Sequence, residues 1–431
     1  MSNTILNLHE NPLLCESYYS CNHPSGLTIY VFPKKLTTTY AVMGVKYGSV
    51  NNSFRVNGKA LTVPDGIAHF LEHKLFTNED GSDSFERFSI LGADANAYTA
   101  FNKTAYLFSC TDDYKEPLVE LISFVTHPYF TTESIASEIG IISEEIKMYD
   151  DSPSDRCFYG MLEGMYEHHS IRRNICGSPK SISQITPELL YNCYDAFYNL
   201  SNMVLIVCGD VDPNEVLRIA DAQLPASKRD FSTVSTDENK LEQPQAFMPY
   251  TELSMQVSKP IFNIGFKDTD IPENPIKRQK KDAAMAILDE MIFSRAGTLY
   301  NYLYDNDIIS PNMSYGYSIN ESAAYNSVAG EADDPKMVLD EIMSYIEKLQ
   351  KDGLSYEDFL RGKRVMYAEF VKSFDSTDNI ANNLLAFFCE GAELLSYSDI
   401  IESVSFDDVC ELFKNCFAAD KITLSVVKPL K

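Results

Sequence analysis

The sequence predicts an α+β fold made of two domains that share one order of elements, and three observations carry that prediction. At 431 residues the chain is too long for one ordinary domain and suggests two of roughly 200 residues each. Residues 226–256 carry Ser, Thr, Asp, Glu, Gln and Pro with few apolar side chains, so they read as a linker. On both sides of that stretch, short β-rich runs and longer helical patterns follow in the same sequence and close on a strand. The expected domains are therefore residues 1–225 and 257–431.

In the first domain, residues 26–33 and 40–49 read as strands, rich in β-branched and aromatic residues and bounded by turn residues. Val63-Pro64-Asp65-Gly66 breaks the chain and leads into a helix. A short helix over 85–91 ends at Gly92, and 96–101 with 104–110 form a strand pair around an Asn102-Lys103 turn. Helices are expected over 114–125, 132–149, 154–167 and 187–198, before a strand at 202–208. The second domain offers a strand at 261–266, helices at 281–292 and 298–304, and strands at 313–320 and 322–331. Helices over 336–351, 356–373, 380–395, 397–404 and 406–413 precede a last strand, 422–427, which mirrors 202–208. Identity between the halves is faint, so the duplication rests on element order.

Composition excludes some functions. The formal net charge is −26, which makes nucleic acid and anionic membrane poor partners because both want basic surface. No run of 18 apolar residues occurs, so no transmembrane helix is expected. The first residues lack a basic region followed by an apolar core, so no signal peptide is visible. Ten scattered cysteines form no Cys-x-x-Cys pair, the pattern of reduced thiols in a cytoplasmic protein.

The helix after Gly66 carries His69-Phe70-Leu71-Glu72-His73, an inverted zinc-peptidase signature. His69 and His73 are four residues apart, so both imidazoles leave one helix face, and Glu72 shares it. Two neutral imidazoles suit Zn²⁺, and a carboxylate beside them can take a proton from water activated by the metal. Ile67, Leu71 and Leu75 give the same helix an apolar stripe. Two histidines and a glutamate could also be satisfied core polar groups; the chain has only seven histidines, and two falling in one short motif weigh against that. A third ligand must come from elsewhere. The helix at 132–149 offers one: Ile135, Ile139, Ile142 and Ile146 form a narrow stripe, Glu138 and Glu145 flank it together, and Glu144 falls on the solvent side. His168 and His169, in a loop, are further but weaker ligand candidates.

These residues resemble the pitrilysin/insulinase (inverzincin) metallopeptidases. The resemblance rests on His69-Phe70-Leu71-Glu72-His73, Gly92-Ala93-Asp94-Ala95-Asn96-Ala97-Tyr98-Thr99, Glu138-x₆-Glu145-Ile146 with Asp151-Ser152-Pro153, and Tyr198-x₃-Asn202-Met203-x₅-Gly209-Asp210-Val211. It covers nearly the whole chain and implies two mostly antiparallel sheets, each covered by helices, in a clam-shell arrangement. It implies Zn²⁺ on His69, His73 and Glu145, Glu72 as general base, Glu138 as support, and Asn96, Ala97 and Tyr98 as the strand that binds substrate peptide. The implied activity is zinc endopeptidase; the implied alternative is a non-catalytic, peptide-binding or structural subunit of the same fold. One departure stands out. The family's second-domain Arg and, seven residues on, Tyr grip the substrate carbonyl, yet Tyr304 and Pro311 occupy those positions, and nearby Arg295 lies beyond Gly297. The chain most resembles the zinc-bearing member of bacterial two-protein pairs, which implies a heterodimer with a related subunit carrying the Arg–Tyr pair, with a homodimer as the other possibility.

Overall fold

The structure, a computed structural model, describes residues 5–227, 234–236 and 242–430. It divides into two compact units. The first comprises Met1–Ile146, Asn174–Glu238 and Val371–Ser396; the second comprises Lys147–Arg173, Asn239–Phe370 and Tyr397–Lys431.

The first unit holds strands β1 (Asn7–Asn11), β2 (Glu16–Asn22), β3 (Thr28–Pro33), β4 (Thr39–Val45), β5 (Ser53–Val56), β6 (Lys59–Thr62), β7 (Asp94–Thr99), β8 (Thr104–Cys110), β9 (Met203–Gly209) and β10 (Val234–Thr236). Seven of them form a sheet in the order β1-β2-β3-β9-β4-β8-β7, with only β3 and β9 running parallel. β4, apart from Thr39, and β9 are apolar, and both are buried at every position, which places them in the middle of the sheet. Helices α1 (Ile67–Leu75), α2 (Ser84–Ile90), α3 (Lys115–Thr126) and α4 (Thr132–Asp150) follow the expected pattern within a residue or two. The helix Thr377–Glu390 packs on β4 and β9. Gly44 admits it: a Cβ there would stand 2.2 Å from Leu385 Cδ1.

The second unit holds β11 (Tyr250–Met255), β12 (Ile261–Asp268), β13 (Ser314–Ile319), β14 (Ala324–Glu331) and β15 (Ile422–Pro429), in the order β11-β15-β12-β14-β13. β11 and β15 are parallel and the other pairs antiparallel. That is the pattern of β3-β9-β4-β8-β7 repeated strand for strand, so the duplication legible as element order is a duplication of sheet topology. Helix α5 (Pro153–Met165) packs on β11, β12 and β15. In the second unit the helix Pro275–Phe293 holds the place of α1 in the element order and contains no histidine.

The structure differs from two sequence expectations and adds two strand pairs. A single cut between residues 1–225 and 257–431 does not follow the compact units, because α5 covers the second unit's sheet and Thr377–Glu390 covers the first's. Both helices are amphipathic, and an apolar face seen in sequence does not say which sheet it will cover. The expected linker, 226–256, lies partly outside the described residues and ends in β11. That strand is mostly exposed and carries Thr251, Glu252 and Ser254 among its six residues, so it lacks the apolar run that marks β12. The β1–β2 hairpin and the β5–β6 pair, polar and short, had no signal strong enough to predict them.

Candidate metal centre

α1 begins at Gly66, whose φ of 90° is left-handed. A Cβ there would meet the Cys176 carbonyl oxygen at 2.4 Å, and a Cβ on Gly177 (φ 76°) would meet the Asp65 carbonyl oxygen at the same distance. The two glycines thus let the entry to α1 and the segment around Cys176 lie against each other. Ile67, Phe70, Leu71 and Leu75 are buried, and α1 packs on β7, β8 and the helix Pro187–Phe197. His69 and Glu72 are each only 7% exposed.

α4 sits opposite. Ile135, Ile142 and Ile146 are buried, Glu144 is exposed, and Glu138 and Glu145 are half-buried, as the helical spacing predicts. Glu145 reaches between the imidazoles, with Oε1 3.5 Å from His69 Nε2 and Oε2 3.4 Å from His73 Nε2. Glu138 Oε1 takes a hydrogen bond from His73 Nδ1 at 3.1 Å, and its Oε2 takes one from Lys74 Nζ at 3.1 Å. Lys74 is buried and also donates to Thr77 Oγ1 at 3.1 Å. A carboxylate on the far nitrogen of a ligand histidine fixes its tautomer and ring orientation. Glu72 accepts from Thr99 Oγ1 at 2.5 Å. Cys176 Sγ lies 3.8 Å from His69 Nε2, and donor atoms of His69, Glu145 and Cys176 fall within 4.8 Å of one another. His73 stands outside that tight group, in contact with the other Glu145 oxygen.

The electrostatics follow from this packing. Burial raises the Glu72 carboxyl above its usual range, against the opposing pull of His69, Thr99 and His73. Hydrogen bonds from His69 and His73 hold Glu145 well below it. Burial would raise Glu138 too, but the bond from His73 and the Lys74 charge outweigh it and leave Glu138 lowered. Burial would lower His73, yet hydrogen bonds to Glu138 and Glu145 lift it to about 9. Burial, with Glu145 and Glu72 nearby, pushes the Cys176 thiol up.

The donor set fits Zn²⁺. With Zn–N and Zn–O distances of about 2.0–2.1 Å, two tetrahedral ligand atoms lie about 3.3–3.4 Å apart. The two imidazole-to-carboxylate separations, 3.5 and 3.4 Å, are of that length, each to a different Glu145 oxygen. The residues that could hold zinc there are His69, Glu145 and Cys176, with His73 beside them on the other Glu145 oxygen.

β7 forms an edge of the first unit's sheet, and α1 packs against it. The Ala100 N–H donates to the Lys103 carbonyl in register with the β7–β8 ladder. Antiparallel alternation then turns the main chains of Asn96 and Tyr98 toward β8 and those of Ala95, Ala97 and Thr99 toward the free edge. Of the expected backbone-binding positions, only Ala97 faces outward, and its N–H is taken by Asn96 Oδ1 at 2.8 Å. The Tyr98 hydroxyl donates to Asn382 Oδ1 at 2.9 Å, so its side chain is engaged with the helix Thr377–Glu390.

The weaker ligand candidates are used otherwise. His169 accepts the Ile171 N–H on Nδ1 at 3.0 Å, and His168 is exposed. In the second unit, Tyr304 is exposed and stacks on Tyr300, while the Pro311 carbonyl accepts from Tyr300 Oη and Arg295 Nη2, each at 3.1 Å. Sequence reasoning missed Lys74, Thr99 and Cys176. Thr99 was within reach, since period-two alternation puts it on the same face as Ala95 and Ala97. Lys74 and Cys176 carried no signal, because their roles depend on α4 and on the glycine contact at Gly66.

Duplicated sheets, with one His–Glu–Cys cluster that could hold a metal among the described residues, define a class of two-unit α+β proteins. Residues 39–178 match the sequence profile of the insulinase family (peptidase family M16), and residues 184–366 match that of the peptidase M16 inactive domain. The chain belongs to the insulinase family, M16. It is 36% identical over 424 residues to the uncharacterized zinc protease YmfH of Bacillus subtilis (strain 168), covering 96% of this chain and 97% of that protein. A second protein of that organism, the uncharacterized zinc protease YmxG, is 21% identical over 73% of this chain and 76% of its own length. An M16-like peptidase structure from Alicyclobacillus acidocaldarius matches with a TM-score of 0.91 and 28% identity, over 100% of this chain and 99% of that one. A protease structure from Helicobacter pylori shares the fold, with a TM-score of 0.82 and 18% identity over 96% of this chain and 100% of that one. No helix among the described residues is long and apolar enough to cross a membrane.

Proposed function

We propose that the chain is a zinc endopeptidase that cleaves short or unfolded peptides. The observation that supports this most is the convergence of His69, His73 and Glu145 from two helices beside the buried Glu72. When bound, zinc at that position would supply Lewis acidity, polarising a carbonyl and bringing the pKa of water toward neutrality. Glu138 holds His73 by Nδ1, leaving Nε2 free for the metal. Glu72, oriented by Thr99, takes a proton from the attacking water and returns it to the leaving amine as the C–N bond breaks. A peptide adding to the free edge of β7 would pair with the outward main chains of Ala95, Ala97 and Thr99 once Asn96 releases the Ala97 N–H. All ten cysteines are free thiols, which suits a reducing cytoplasm.

With Tyr304 and Pro311 where a carbonyl-gripping Arg and Tyr are expected, this chain works with a related subunit that supplies them; a homodimer is the other arrangement. The test is digestion of a mixed peptide library by the zinc-loaded chain, with Glu72→Gln as control. Cleavage that disappears in the control supports a self-sufficient peptidase; cleavage retained in the control rules out Glu72 as base. Zinc bound and nothing cut by the chain alone points to the second subunit. Zinc bound and nothing cut even with that subunit overturns the peptidase reading in favour of a peptide-binding or structural role.

A further inference from the structure

The geometry points to Cys176 as a further ligand of the metal, a sulfur donor that caps the site at rest. This inference rests on the zinc reading above and concerns how that site is regulated.

Cys176 comes from a segment of its own, Asn174 to Ser178, which meets α1 only because Gly66 and Gly177 allow backbone contact at either side of it. The contact is tight: any side chain at either glycine would collide with a carbonyl oxygen at 2.4 Å. The cysteine that it delivers is buried. Its sulfur lies 3.8 Å from His69 Nε2 and within 4.8 Å of a Glu145 oxygen. With Zn–S of about 2.3 Å and Zn–N of about 2.0–2.1 Å, a sulfur and a nitrogen on tetrahedral zinc lie about 3.5–3.6 Å apart. The observed separation is within a few tenths of an ångström of that edge. His69 itself is buried, and its Nδ1 has no hydrogen-bond partner among the described residues, so the polar contacts seen at this imidazole are the ligand atoms gathered at Nε2. An imidazole, a carboxylate and a thiol from three separate segments therefore share one small volume.

On binding, the thiol S–H bond breaks, the proton leaves to solvent and the sulfur lone pair goes to the metal. His69, Glu145 and Cys176 then share the metal, and His73, which contacts the other Glu145 oxygen, must move in to close a set of four, the arrangement of structural rather than catalytic zinc. Hydrolysis requires the thiolate to leave or a fifth position to open, so Cys176 sets a resting state that substrate or partner must displace.

Cobalt(II) reports on sulfur ligation directly. The full chain is loaded with one equivalent of Co²⁺ and examined by absorption, with metal content measured on the same samples. Expected are visible ligand-field bands together with a thiolate-to-cobalt charge-transfer band in the near ultraviolet. Cys176→Ser and Cys176→Ala should both keep the bound cobalt, lose the charge-transfer band, and bind zinc at least about tenfold more weakly. Cobalt bound to the wild type without a sulfur band, or a band that survives both substitutions, overturns the assignment of Cys176. In that case loss of cobalt on His69→Ala would leave the zinc reading standing. No cobalt in the wild type overturns both.

Discussion

Glu138 offers the sharpest prediction, because one carboxylate serves two donors, the half-buried His73 and the buried Lys74, and its two effects can be separated. It binds His73 Nδ1 through one oxygen and Lys74 Nζ through the other, and the Glu138 and Lys74 side chains are 12% and 3% exposed. Replacing one partner of a buried ion pair leaves a stranded charge and costs about 3–5 kcal/mol. Lys74 keeps Thr77 Oγ1, so the lower end applies to Glu138→Ala, about 3 kcal/mol. In a compact unit of this size, each kcal/mol moves Tm by about 2–4 °C, so the metal-free variant should melt roughly 6–12 °C lower. Losing the anchor on His73 should also weaken zinc by about 10–100-fold. The double variant Glu138→Leu/Lys74→Met strands no charge; it should recover most of the Tm loss and none of the zinc affinity. Thermal melts followed by circular dichroism and a competitive zinc titration measure both quantities. A Glu138→Ala protein that melts within about 1 °C of wild type, or that binds zinc as tightly, would refute the reasoning.

Other perturbations follow from the same geometry. Thr99→Val removes the hydrogen bond that pulls Glu72 down, so the acid limb of the kcat/KM profile should move up, and an unmoved limb would separate Thr99 from the base. Gly177→Ala forces a Cβ into the Asp65 carbonyl at φ 76°; it should cost about 1–3 kcal/mol and weaken zinc binding, both read from melts and titration. His169 is buried, and burial lowers its pKa to about 4 against an unfolded value near 6.5. The unfolded state then binds the extra proton, so this residue makes stability fall as pH drops from about 6.5 to about 4, by roughly 3 kcal/mol in all. His169→Gln should flatten that part of the stability–pH curve, and an unchanged slope would contradict the assignment.

Local periodicity made much of the molecule legible. Four-residue spacing placed His69 and His73 together on α1, and the isoleucine stripe of α4 correctly turned Glu145 inward and Glu144 to solvent. Repeated element order foretold two sheets of one topology. What periodicity does not carry is partner choice over long separations. The exchange of α5 and Thr377–Glu390 between units, and the approach of Cys176 to His69, depend on close contacts at Gly44, Gly66 and Gly177 that leave no pattern in sequence. β11 was hidden for a different reason: a mostly exposed edge strand needs few apolar residues. On β7, the chain segment was recognised while the direction of each main-chain group was not. That direction follows from the hydrogen-bonding phase of the hairpin with β8, set at Ala100 and Lys103.

The central claim is a zinc site built from His69, His73 and Glu145, with Glu72 beside it and not on the metal. Zinc per chain, measured on wild type, His69→Ala, Glu145→Gln and Glu72→Gln after identical loading and desalting, tests it most directly. One zinc is expected in wild type and in Glu72→Gln, with little retained by the other two. No zinc in wild type, or equal zinc in all four, would contradict it.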